Sequence, residues 1–205
     1  MKTRLILTAC AAAALLLAGC AQPAPQAAGS LDDLFLTRRS VRSYDASKTI
    51  SEAEVRTLLE ASQQAPSWAN MQPSRYYVAM TPDKADAAKQ LCGERNAANV
   101  AGAPVVIVST YVKGQSGFGR GNAVNEIGDG WGAYDNGLAN AYLILKARDM
   151  GFDTLIMGMR DSAGLRALFG IPDTEEVMAV IALGYRAGEP NVPNHKALDE
   201  IVKFF

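Results

Sequence analysis

Arg38-Arg39-Ser40-Val41-Arg42 sets three guanidiniums and a hydroxyl within five residues, and Ser43-Tyr44-Asp45 follows directly. Arginine cannot shed its charge by losing a proton, so three together favour a place where something anionic sits among them. Phosphate is the natural candidate. On an extended segment side chains alternate, which lets Arg38, Ser40 and Arg42 converge on one side while Arg39 and Val41 point elsewhere. Taken alone, the stretch reads as readily as a solvated run of charge. Its neighbours decide.

The 205 residues suffice for one domain with a sizeable core, and 49% apolar with 20% charged residues is ordinary globular composition. A formal net charge of −1 argues against a nucleic-acid partner, so the basic cluster reads as a local site for a small anion. His195 is the sole histidine, which leaves no basis for His-based zinc sites or a Ser-His-Asp arrangement. No metal site is expected, and chemistry would come from a bound cofactor.

Residues 1–19 carry Lys2 and Arg4, then an apolar run from Leu5 to Leu17 that is short for a bilayer, then small residues before Cys20. This is the pattern of an export signal. Leu17-Ala18-Gly19-Cys20 resembles the lipobox of bacterial lipoproteins, which implies cleavage before Cys20, lipidation there, and anchoring in the cell envelope on the periplasmic face of a membrane. A plain secretory peptide is the alternative. Losing residues 1–19 leaves 18 basic against 21 acidic residues, a net of −3. Residues 20–30, rich in Pro, Ala and Gly, read as a flexible tether, and residues 31–205 as the folded domain. Cys92 is then the only potential free thiol and reads as packing.

Ser30 can cap a helix through Leu31, Leu34 and Phe35, and Ser51-Glu52-Ala53-Glu54 has the form of a capping box before a stripe of Val55, Leu58, Leu59 and Ser62. A loop, Ala65 to Pro73, leads to a strand over 75–80, and Val105-Val106-Ile107-Val108 reads as a strand buried on both faces. The glycine-rich stretch 114–130 lacks dinucleotide-loop spacing, because Asn122 stands where the third glycine is needed; it reads as a mobile loop over a site, with Phe118 as a substrate contact. Trp131 to Met150 forms a helix apolar on nearly all sides in its middle, which calls for burial against a second subunit. Gly151 ends it, a strand begins at Thr154, a short helix spans 162–169, and a strand spans 177–183.

In order and spacing, RRSVR with Tyr44, then APSWANMQPSRY, NAANVAGAP, DNGLA, GFDTLIMG and LGY resemble the nitroreductase family of FMN-dependent oxidoreductases. The resemblance implies an α+β fold with a central, mostly antiparallel sheet flanked by helices, in a domain-entwined homodimer that binds FMN. It implies that Arg38 and Ser40 hold the phosphate, with Arg39 at the surface or in auxiliary contact, and that Arg42 reaches the ribityl or pyrimidine side. Pro66, Ser67 and Trp68 would approach the flavin from the second subunit, with Asn70 in a polar role nearby. Trp68 departs from the small residue usual there; it would stack on flavin or substrate, narrow the pocket, or pack in the interface.

Asn96 would bond the pyrimidine edge, and the backbone at Met157 and Gly158 would face flavin N5 and O4. His195 and Lys196 stand where relatives use a basic group on the phosphate, and the apolar tail Ile201 to Phe205 would dock across the partner. No catalytic side chain is implied, since flavin N5 carries electrons from NAD(P)H to a nitroaromatic, quinone or similar acceptor. A periplasmic location offers little NAD(P)H. Two alternatives therefore stay open: another flavin reaction, such as reductive dehalogenation or an oxidation, and a flavin-binding lipoprotein without turnover.

Overall fold

The computed structural model describes residues 30–205. Residues 1–29, which hold the stretch read as an export signal, Cys20 and all but the last residue of the expected tether, lie outside the described residues.

Two capping boxes start the fold. Ser30 and Asp33 satisfy each other's backbone N–H at the head of α1 (Leu31–Thr37), and Ser51 and Glu54 do the same for α2 (Glu52–Gln63). The chain then passes through β1 (Ser74–Ala79), α3 (Pro82–Gln90), α4 (Glu94–Asn99) and β2 (Val105–Val112). A two-residue-per-strand hairpin follows, β3 (Phe118–Gly119) with β4 (Asn122–Ala123). After it come α5 (Gly130–Asp149), β5 (Asp153–Met157), α6 (Ser162–Phe169), β6 (Glu175–Gly184) and α7 (Leu198–Ile201).

The main sheet has the order β1-β2-β6-β5, and its strand pairs are all antiparallel. Side-chain alternation assigns each strand residue to one of two cores. Val106, Val108, Val180 and Ala182 face one way, onto Ala85 and Ala88 of α3 and Leu165 of α6. Val105, Ile107, Ile181 and Leu183 face the other, onto Val55 and Leu58 of α2 and Leu143 and Ala147 of α5. The result is a helix–sheet–helix sandwich, which is why the central strands read as unbroken apolar runs.

Helix α5 buries only part of its surface within one chain. The stripe it buries in this chain includes Asp135, Asn136 and Asn140, whereas Tyr134 and Tyr142 are exposed and Leu138 and Leu145 only half-buried. Burial of the amides is tolerated because they are bonded: Ser109 Oγ donates to Asn136 Oδ1 (3.0 Å), and Asn136 Nδ2 donates to the Thr110 carbonyl (2.9 Å).

Cys92 is fully buried in the first core, and burial pushes its thiol up from 9.0 to about 11. Native protein at pH 8 is therefore expected to leave Cys92 unmodified by iodoacetamide, while guanidinium-unfolded protein is alkylated there, read by peptide mass. The folded state holds this proton more tightly than the unfolded one. Its contribution to stability is complete below pH 9.0 and is lost as pH rises toward about 11.

Candidate functional site

The basic stretch lies along the β5 edge of the sheet. Ser40 makes a parallel bridge with Thr154, and Val41 N donates to the Thr154 carbonyl (3.1 Å). Beyond it, Asp45 N donates to the Tyr185 carbonyl (2.9 Å) and Ala187 N to the Ser43 carbonyl (3.0 Å). The segment is thus stitched between β5 and the chain leaving β6. Val41 and Tyr44 point inward and are buried. Gly102 and Gly184 make room for Tyr44: a Cβ on Gly102 would lie 2.4 Å from the Tyr44 carbonyl, and one on Gly184 2.7 Å from its ring.

That anchoring turns Ser40 and Arg42 out to solvent and leaves Arg38 and Arg39 half-buried. Among the described residues no carboxylate lies within 4.0 Å of any of the three guanidiniums. Arg39 Nη1 turns back to the Arg38 carbonyl (2.8 Å) and Arg42 Nη1 to that of Ser40 (3.2 Å). A cleft of about 310 Å³ opens between Ser40–Ser43 on one wall and Ala187–Asn191 on the other. Ser40 and Arg42 line this cleft and Arg38 stands just before its wall, so the donors gathered here are of the kind that suits an anion.

Four residues along the edge from Thr154, Gly158 directly follows the end of β5. Arg160 Nη1 donates to the Gly158 carbonyl (2.7 Å) and its Nη2 to that of Val177, which fixes this peptide from the protein side. A Cβ placed on Gly158 would meet nothing within 4 Å, so the backbone there is open to close approach. Met157 itself is buried, so Gly158 is the exposed position of the pair.

Asp161 N donates to the Leu91 carbonyl (2.7 Å), and a Cβ on Gly93 would lie 3.2 Å from the Met159 sulfur. These contacts set the start of α4, and with it Asn96, beside the Gly158 turn. Asn96 Nδ2 donates to the Cys92 carbonyl (3.1 Å), which leaves its side-chain oxygen without a partner among the described residues.

The remaining sequence-expected residues lie elsewhere. Pro66 to Asn70 precede β1, at the opposite edge of the sheet; three strand spacings of about 4.8 Å separate the edges by roughly 14 Å. Trp68 packs on Trp131, centroids 4.7 Å apart and planes at 53°, and its backbone N–H donates to the buried Asp135 Oδ2 (2.9 Å). Ala69, Asn70 and Gln72 are left-handed (φ 43°, 56° and 48°), and Ser67 Oγ accepts from Gln72 N (2.9 Å) to hold the turn. A cleft of about 360 Å³ beside it is lined by Pro66, Ser67, Gln72, Tyr76 and Asp135, among others.

The glycine-rich stretch carries Phe118, half-buried, on its short hairpin. Its base is tied down, since Trp131 Nε1 donates to Asn125 Oδ1 (3.0 Å) and Gly114 N to Asp129 Oδ1 (2.6 Å). His195 and Lys196 are exposed, and neither lines the cleft beside Ser40–Ser43. Trp131, Asp135 and Arg160 receive no site role from the sequence, although Asp135 opens the DNGLA motif and is an acid among largely apolar neighbours.

A family model described as the nitroreductase family matches residues 36–185. A Thermus thermophilus protein named NADH dehydrogenase is 28% identical over 185 residues, covering 78% of this chain and 88% of that protein. A Xanthomonas oryzae protein, named a candidate NADH dehydrogenase/NAD(P)H nitroreductase, is 30% identical over 191 residues, covering 86% and 96%. Among solved structures, a candidate NAD(P)H:FMN oxidoreductase of Staphylococcus epidermidis superposes with a TM-score of 0.80 at 18% identity, covering 90% of this chain and all of that one. A candidate nitroreductase of Exiguobacterium sibiricum, in complex with FMN, gives 0.78 at 21% identity, covering 88% and 100%. These likenesses agree with the α+β architecture described above.

Proposed function

This chain belongs to the nitroreductase family, and from that premise we propose that it is an FMN-dependent oxidoreductase working as a homodimer. The observation that carries the proposal is the β5 edge, where an anion-binding donor set at Arg38, Ser40 and Arg42 is followed, one strand length on, by the open backbone of Gly158. That succession suits a phosphate at one end and a ring at the other. When bound, FMN supplies the redox chemistry, accepting two electrons from a reduced donor, NAD(P)H, and passing them to a nitroaromatic, quinone or similar acceptor.

The chain's own residues bind and orient. Arg38 and Ser40 hold the phosphate, and Arg42 places positive charge along the ring side, where it favours the reduced anion. The backbone at Gly158, fixed by Arg160, and the free side-chain oxygen of Asn96 serve the polar edge of the ring. The turn Pro66–Asn70 cannot reach the same cleft within one chain, so we assign it to a site shared with a second copy. The exposed Tyr134 and Tyr142 of α5 and the exposed tail Phe204-Phe205 support such an interface.

For location, the Leu17–Cys20 motif supports a lipid anchor in the cell envelope. Among the described residues no helix is long and apolar enough to cross a membrane. The test is spectroscopic: purified protein should be yellow and should bleach when NADH or NADPH is added without oxygen. Colourless protein that takes up no FMN sinks the proposal, and yellow protein bleached by dithionite alone points to another donor.

A further inference from the structure

Arg186 makes the most connections at the β5 edge, yet its side chain lies behind the site rather than in it. Its Nε donates to Asp153 Oδ2 (2.7 Å) and its Nη2 to Asp153 Oδ1 (2.6 Å), a forked pair on a carboxylate whose side chain is only 2% exposed. The same Nη2 donates to the Thr37 carbonyl (3.4 Å), and Nη1 pairs with Glu189 (3.1 Å). From α5, Arg148 Nε donates to Thr37 Oγ1 (3.2 Å), and its Nη1 lies 3.6 Å from Asp153.

Thr37 is the last residue of α1 and the one before Arg38. A helix end presents carbonyls that need donors, and α1 has no basic residue of its own in its last turn. Arg186 and Arg148 supply the missing cations from elsewhere in the fold, one on the carbonyl and one on the hydroxyl. The contact fixes where α1 stops and from what point the chain extends into Arg38. Through its backbone bridge to Tyr44 and its ion pair with Glu189, Arg186 also joins the two walls of the 310 Å³ cleft.

We infer that Arg186 is the positioning residue of the phosphate cradle, setting Arg38 and both cleft walls through the buried Asp153 and the Thr37 carbonyl. This rests on the proposal that Arg38 and Ser40 hold the FMN phosphate.

The test separates phosphate positioning from general stability by comparing FMN with riboflavin, which lacks the phosphate. Full-length mature protein stripped of flavin is titrated with each, binding being read by quenching of flavin fluorescence. Arg186→Lys keeps a cation facing Asp153 but cannot fork to both acceptors, and the pair Arg186→Gln with Asp153→Asn removes both charges together. In each, affinity for FMN should fall roughly 10- to 100-fold while that for riboflavin stays within about 3-fold. Arg38→Ala is the reference for direct loss of a phosphate contact. If Arg38→Ala keeps the full preference for FMN, the phosphate reading itself fails. If Arg38→Ala loses that preference and both Arg186 variants keep it, or lose the two flavins equally, the inference is overturned.

Discussion

Purified Arg38→Ala protein is expected to be close to colourless, whereas Arg39→Ala should remain yellow. A charged hydrogen bond contributes about 1.5–3 kcal/mol, so losing one corresponds to roughly 10- to 150-fold in affinity. Flavin bound with sub-micromolar affinity would be stripped during purification at the upper end of that range. Arg38 is half-buried, its side chain makes no hydrogen bond among the described residues, and it borders the segment that walls the open cleft. Removing it therefore deletes binding and little else. Arg39 spends one nitrogen on the Arg38 carbonyl and should cost no more than about 3-fold. Absorbance near 450 nm per mole of protein, before and after added FMN, decides the matter; equal loss in the two variants would undo the assignment.

The second large effect is on stability. Phe152→Ala should lower the free energy of unfolding by about 3–5 kcal/mol, because Phe152 is fully buried and a cavity replaces its ring. Its position makes the damage informative. Phe152 meets Tyr185 edge to face at 5.2 Å, and the Tyr185 carbonyl holds Asp45 at the end of the basic segment. Urea unfolding of the apoprotein measures the loss. Saturating FMN should return part of it, since a ligand that binds only the folded chain stabilises it by mass action. A loss under 1 kcal/mol would mean that the second core does not close around Phe152.

Much of the fold is legible in the sequence. The capping boxes at Ser30 and Ser51 are local chemistry, and both helices begin where those residues stand. The alternation read into RRSVR also holds in part: Val41 is buried while Ser40 and Arg42 face solvent. Helix α5 is legible only in part. Its apolar middle calls for a second subunit, which one chain does not supply, whereas the stripe it buries within the chain includes Asp135, Asn136 and Asn140, whose acceptability depends on partners such as Ser109 and Thr110 in a distant strand. The grip of Arg186 and Arg148 on Thr37 was equally hidden, because it joins residues 111 and 149 positions apart. Periodicity reports which face a residue occupies, whereas pairing across the fold leaves no periodic trace.

The separation of Arg38–Arg42 from Pro66–Asn70 on opposite sheet edges has a consequence for inheritance. If each site draws one half from each chain, two defective alleles can rescue one another. A chain damaged at Arg38 and a chain damaged around Ser67 would each be inactive as homodimers. Mixed at random, half of the dimers carry both, and each of those has one doubly damaged and one intact site, about a quarter of the full complement. Refolding the two variants together should restore that fraction of bound flavin, and a cell carrying both alleles should outgrow a cell carrying either alone wherever the activity is needed.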